Sequence, residues 1–302
     1  MTAPRGGAPR RTGGPRDRAG TATAGRGVPA ARVLWGLALA LVLAWSVGPA
    51  AWQALTALKP DAQITHVPTV YLPHPVTWKH VETLWSRKPF GTYLANSAWV
   101  ATWATLLCVS FAALAAAGLA RMPGRGREPL LLGLLFLSLF PPILLLFPLY
   151  EGVRWLGWIN HPLALILPYA ALNLPLAVWV LESAFRQLPL ELDEAARLDG
   201  LSALARIRRI HLPLAMPAVA TAAILVFIFC WNEFMLALTF MTTDARKTVT
   251  AGIASVSGAS LYEIPWGQLS AAIVLATLPL VLLVLVFERR IVSGLTRGAI
   301  KG

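Results

Sequence analysis

Residues 189–217 read Pro-Leu-Glu-Leu-Asp-Glu-Ala-Ala-Arg-Leu-Asp-Gly-Leu-Ser-Ala-Leu-Ala-Arg-Ile-Arg-Arg-Ile-His-Leu-Pro-Leu-Ala-Met-Pro, a polar island between two long apolar runs. An island this charged has to lie outside lipid, so the flanking runs read as spans and the island as the loop that joins them. Glu191, Asp193 and Glu194 crowd the start of a short predicted helix, where carboxylates complement the positive end of the helix dipole. Arg197 follows Glu194 by three positions and Asp193 by four, so it can pair with either across a turn. Gly200 is the expected exit of that helix, and Ser202 the expected cap of a second one carrying Arg206, Arg208 and Arg209. Pro213 is read as opening the next span, which makes the island two small helices hinged at a glycine.

The rest of the chain fits that frame. Of 302 residues, 57% are hydrophobic and 13% charged, against roughly a quarter charged in soluble domains. The net charge of +12 would suggest a nucleic-acid ligand in a soluble chain, but in a membrane protein the distribution of basic residues over the loops matters more. Cys108 and Cys230 both sit inside apolar runs and read as small packing residues.

Residues 1–30 are rich in Gly, Pro, Ala, Thr and Arg without apolar periodicity and read as a disordered basic tail. Residues 33–55 supply enough apolar length to cross a hydrocarbon core of about 30 Å. A proline-rich external loop follows to residue 90, with a short amphipathic piece at 80–85; His66, His74 and His80 in it are read as surface residues, since no zinc-like spacing joins them. Further spans are expected at 92–119, 130–150, 162–184, 214–240 and 269–287, six in all. Pro141, Pro142 and Pro148 interrupt the third, and such breaks survive in lipid only where a cavity or neighbouring helices satisfy the freed backbone.

With both termini inside, the inner segments hold seven, three, five and four basic residues, and the outer loops hold only Lys59, Lys79, Arg87, Lys88, Arg154, Arg246 and Lys247. This asymmetry places the island in the cytoplasm. The sequence contains no Gly-x-x-x-x-Gly-Lys-Ser/Thr phosphate loop, no His-Glu-x-x-His pair and no Gly-x-Ser-x-Gly elbow, so no catalytic or metal site is expected.

Glu194-Ala195-Ala196, then Gly200, Ile210, Leu212 and Pro213, fall in register with the EAA loop of the membrane subunits of bacterial ABC importers. The chain resembles the carbohydrate-uptake branch of these permeases, the maltose-transporter inner-subunit type, over about residues 90–302. Asn96-Ser97, Pro141-Pro142, Pro148-Leu149-Tyr150, Trp231-Asn232-Glu233-Phe234 and Gly294-Leu295-Thr296 carry the likeness outside the loop.

The resemblance implies an all-α membrane protein with six transmembrane helices, the type I ABC importer permease fold and cytoplasmic termini. It implies a core over 91–290 with a coupling loop at 186–212, preceded by a first helix and external loop over 31–90 and followed by a tail at 291–302. The expected function is that of a permease subunit of an ATP-driven, binding-protein-dependent importer in the bacterial inner membrane, for sugars or oligosaccharides. The alternatives are another small polar solute such as glycerol phosphate, or a secondary transporter, although no internal repeat favours the latter. The implied partners are a second homologous permease, two cytosolic ABC ATPases that use the ATP, an extracytoplasmic solute-binding protein and the lipid bilayer, with no nucleic acid and no cofactor of its own.

By the same resemblance the residues that dock on the ATPase are Glu194, Ala195, Ala196, Arg197, Asp199, Gly200, Ile210 and Pro213, the two alanines leaving room for close approach. Candidates for the translocation path or gate are Asn96, Tyr150, Asn173, Trp231, Asn232 and Glu233. Glu233 stands out because an ionisable group at membrane depth is functional by default, with an interhelical hydrogen bond as the competing reading. Trp231 can stack on a sugar face or simply pack a helix.

Overall fold

The computed structural model describes residues 28–256 and 264–299, with side chains described over 32–256 and 264–287. Nearly all of the tail expected at 1–30 lies outside the described residues. The chain divides into two units, Met1–Pro49 and Ala50–Gly302. Within the first, the apolar residues of α1 (Val28–Ala57) from Val33 to Val47 are exposed, as a lipid-facing helix requires.

The second unit contains α2 (Asp61–Ile64), α3 (Lys79–Arg87), α4 (Phe90–Ala120), α5 (Gly124–Leu139), α6 (Leu146–Trp155), α7 (Leu163–Arg186), α8 (Leu190–Leu198), α9 (Ala203–Arg206), α10 (Leu212–Leu214), α11 (Met216–Asn232), α12 (Met235–Phe240), α13 (Val249–Ala254) and α14 (Trp266–Ala299). Among the described residues four helices are long and apolar enough to cross a membrane, and up to six spans are counted when each of two sharply bent helix pairs is taken as one.

Both bends occur where proline removes a backbone donor. Phe140, held extended before Pro141, separates α5 from a 3₁₀ turn at Pro142–Leu145 and α6, and the axis turns by 82°. The second bend, of 88°, falls at Ala215 between α10 and α11. The joint was expected at Pro213; instead Pro213 continues the helix, and Pro217, which has no N–H to offer the Pro213 carbonyl, is what interrupts it. The fifth span is also shorter than expected: α11 stops at Asn232, Glu233 is extended, and α12 is a separate turn.

The core lies where α4, α7 and α11 meet. Ala101, Ala104, Cys108, Ala112 and Ala116 recur on one face of α4 at helical spacing and are fully buried, so α7 packs along a face of small side chains. Two glycines permit similar closeness elsewhere. A Cβ on Gly252 of α13 would fall inside the Tyr93 ring of α4, and one on Gly267 of α14 inside the His80 ring of α3. His80 is therefore not a surface residue as expected: it is buried, and its Nε2–H donates to the Lys59 carbonyl at 2.8 Å. His66 and His74 are exposed.

Contacts sort the helix ends into two groups. At one end Arg121, just past α4, pairs with Asp193 of α8, and Arg127 of α5 pairs with Glu182 near the end of α7. At the other, Asn96 near the start of α4 donates to the carbonyls of Ala245 and Lys247 at 3.1 and 3.0 Å. Asn160, just before α7, accepts from the backbone N–H of Thr242 and Thr243 at 2.8 and 3.0 Å. Hence α4 and α7 run parallel and α11 runs against them, and the polar island and the loop of residues 241–248 lie at opposite ends of the bundle.

Candidate functional site

The island forms the element that its residues predict, with different internal wiring. Pro189 leads into α8, whose first turn carries Glu191 and Asp193. The helix ends in two reciprocal bonds, Gly200 N–H to the Arg197 carbonyl at 3.0 Å and Leu201 N–H to the Ala196 carbonyl at 2.9 Å. Gly200 adopts φ +76°, the left-handed conformation that this exit demands. Ser202 Oγ then accepts the Ala205 N–H at 3.3 Å and caps α9. The helix runs on through a π segment, Ile207–His211, and α10 to the bend at Ala215.

Asp193 turns inward and is 5% exposed. His211 Nε2–H donates to its Oδ1 at 2.8 Å, Arg206 Nε lies 3.7 Å from the same oxygen, and Arg121 Nε pairs with Oδ2 at 2.5 Å. Burial alone would raise the carboxyl's pKa, but the His211 hydrogen bond and the charges of His211 and Arg121 outweigh it and hold Asp193 below the usual carboxylate range. The expected pairing of Arg197 with Glu194 or Asp193 does not form. Arg197 points to solvent, because Asp193 is taken up by cations from other elements that it can reach only from the buried face.

The opposite face of α8 is open. Glu194, Ala195, Arg197, Asp199 and Gly200 are exposed, Pro213 is exposed and Ile210 half-buried. Ala196 departs from the expectation of a pair of contact alanines: it is buried against the protein's own bundle, leaving Ala195 alone on the outer face. Leu198, 89% exposed, and Leu204, 64% exposed, add apolar knobs that sequence reasoning passed over.

Near mid-bundle, a cleft of about 780 Å³ opens between α5, α7, α11 and α12. Of the six path candidates, Asn173 and Glu233 line it, along with Ser138, Trp179 and Phe229. Glu233 is fully engaged. Its Oε2 accepts from Tyr169 Oη at 2.5 Å and from Ala237 N–H at 3.1 Å, and its Oε1 accepts from Leu236 N–H at 2.9 Å, so it caps α12 while bonding to α7. The other four lie elsewhere. Trp231 is buried, stacked on Phe227, with its indole N–H donating to the Ala276 carbonyl at 3.2 Å. Asn96 is tied to the residue 241–248 loop, Asn232 bonds back to the Ile228 carbonyl, and Tyr150 packs near Phe240.

The profile of the family described as "Binding-protein-dependent transport system inner membrane component" matches residues 108–297. The chain belongs to this family. It is 47% identical over 213 residues to the trehalose/maltose transport system permease protein of Thermococcus litoralis, covering 70% of this chain and 76% of that one. The trehalose transport system permease protein of Mycobacterium tuberculosis is 36% identical over 268 residues, 89% of this chain and 97% of that one. In fold, the chain matches a subunit of a bacterial ABC transporter involved in the import of the acidic polysaccharide alginate, with TM-score 0.71 and 20% identity over 89% of this chain and 99% of the other. The protein is thus a permease subunit of a binding-protein-dependent ABC importer and an inner-membrane component.

In this permease the residues that sequence reasoning missed are Arg121, Arg127, Glu182 and His211. An acidic residue inside an otherwise apolar span, as at Glu182, was the available clue.

Proposed function

We propose that this permease imports a sugar or oligosaccharide, with α8 docking from the cytoplasmic side into a separate ABC ATPase that supplies all nucleotide chemistry. The observation that carries the docking reading is the split character of α8, one face wired into the bundle and the other presenting Glu194, Ala195, Leu198 and Asp199 with no covering element among the described residues. Apolar knobs flanked by charges suit a partner groove in which burial provides affinity and charge provides register. The basic-residue asymmetry supports the cytoplasmic placement. The full assembly on this reading adds a homologous second permease, two ATPases and an extracytoplasmic binding protein, and the chain itself needs no cofactor.

The solute class is supported by two relatives whose names specify trehalose and maltose. The cleft argues in the same direction. Its lining contains one carboxylate, Glu233, and no Lys or Arg, an unfavourable setting for an anion such as glycerol phosphate. Asn173, Ser138 and the exposed ring of Trp179 provide the hydroxyl-binding and stacking groups that sugars use.

Two measurements test this reading. The co-expressed solute-binding protein, titrated by calorimetry, should bind trehalose or maltose and ignore glycerol 3-phosphate; the reverse preference would remove the sugar assignment. Leu198→Glu should leave the permease inserted but abolish co-purification of the ATPase subunits, and retained co-purification would remove the docking assignment.

A further inference from the structure

We infer that Asp193 is a positioning residue that locks the coupling helix to the end of α4 and to the entry of α11, so that residues 190–214 and α4 move as one body; this rests on the docking role proposed for α8.

Three acidic residues stand in the first half of α8, and only Asp193 is turned inward. Burying a carboxylate is costly unless cations and hydrogen bonds compensate, and an apolar side chain would fill the same space at less cost. What the carboxylate adds is direction, because Oδ1 takes the His211 hydrogen bond while Oδ2 faces the Arg121 charge. Those donors come from three separate elements: Arg121 after α4, Arg206 on α9 and His211 in the π segment.

Two of these partners lie beyond Gly200. The glycine exit, which by itself reads as a hinge, is therefore bridged by ionic contacts from α8 to α9 and the π segment, and cannot flex without breaking them. The linker on the other side of α8 is held as well. Arg121 Nη1 donates to the Leu188 carbonyl at 3.4 Å while its Nε pairs with Asp193, so this one arginine holds residues on both sides of Pro189, and Arg127 of α5 lies 3.6 Å from Glu182. With both flanks held, a displacement of α8 by a docked partner passes through Asp193 into α4 and, through His211, to the bend at Ala215. A π turn at that point fits the transfer, since such turns are frequent where helices perform a function. Coupling requires contacts of this kind, which hold their geometry while the two ends of the element report to different partners.

The test uses the assembled transporter in proteoliposomes and the variant Arg121→Gln. This variant leaves Asp193 paired with Arg206 and His211, so no buried carboxylate is stranded, and what is lost is the tie from the end of α4 to Asp193 together with the weaker one to the Leu188 carbonyl. One readout is radiolabelled trehalose transported per ATP hydrolysed; the other is the width of the distance distribution between spin labels at Glu191 on α8 and Leu114 on α4, with and without ATP plus vanadate. We expect normal assembly, at least a fivefold fall in trehalose per ATP, and a broadened distance distribution that in the unmodified complex stays narrow in both states. A wild-type result on either readout overturns the inference. Failure of Arg121→Gln to assemble also overturns it, because the cluster would then be a folding element only. Loss of the docking role itself is read separately, from Leu198→Glu, which lies on the open face of α8 and outside the cluster.

Discussion

Asp193 and His211 are 18 residues apart, on opposite sides of the glycine that ends α8, and are joined by a 2.8 Å hydrogen bond in the buried base of the coupling element. That bond and the two arginine contacts beside it make the element respond to pH in a defined direction. The Asp193 carboxyl titrates below its ordinary value of 3.8 in the folded chain. A group with a depressed folded pKa contributes stability that is fully present above the unfolded value and is lost as pH falls through the folded one. Hydrogen exchange of residues 190–214, corrected for intrinsic rate, should therefore lose protection as pH falls below about 4. Protection retained undiminished down to about pH 2 would contradict the assignment of Asp193 as the charged centre of the cluster.

Gly200 has φ +76° and open space around the position of a Cβ. Only backbone conformation restricts the site. Gly200→Asn should be tolerated within a few tenths of a kcal/mol, whereas Gly200→Val should cost about 1–2 kcal/mol and weaken transport. Thermal unfolding of the purified complex, with uptake measured alongside, checks both; equal tolerance of Asn and Val would show that the left-handed exit is not needed.

Glu233 serves both as cap and as interhelical acceptor, and the two roles are separable. Tyr169→Phe removes one hydrogen bond and should cost about 1 kcal/mol. Glu233→Ala also strands the N–H groups of Leu236 and Ala237 and should cost about twice as much or more. Unfolding midpoints in one detergent give the order, and an equal effect of the two changes would argue against the capping role.

Gly252 lies against the face of Tyr93 with no room for a methyl group. Gly252→Ala should destabilise the fold by about 1–3 kcal/mol through overpacking. Combining it with Tyr93→Leu should recover part of the loss, a coupling that a double-mutant cycle on thermal stability measures directly.

Much of this architecture was legible in the sequence because the lipid environment makes composition informative. Apolar length gave the spans, paired prolines gave the broken third helix, and Gly200 and Ser202 gave the two ends that frame the coupling turn. The break falls past Pro213 because a proline near the start of a helix is compatible with continuation, whereas Pro217 has no N–H to give the Pro213 carbonyl in helical register. Asp193 pairs with other cations than local spacing suggests, for a different reason. Local spacing brings Arg197 within reach, but the choice among cations is made by burial, and Arg121 is 72 positions away in sequence. Spacing likewise could not tell which of Trp231, Asn232 and Glu233 faces the cleft, since three consecutive residues of a helix end point in three directions.

The run of alanines on α4 has a mechanical consequence. Side chains so short bring two backbones together along many shallow contacts, and any slippage by part of a turn would open voids that neither lipid nor water could fill. Together α4 and α7 should act as a stiff plank, leaving the kinked helices to supply the rocking by which a solute passes from one side of the membrane to the other. Paired distance reporters across α4 and α7 should stay constant through the nucleotide cycle while pairs spanning the α5 and α6 kink change.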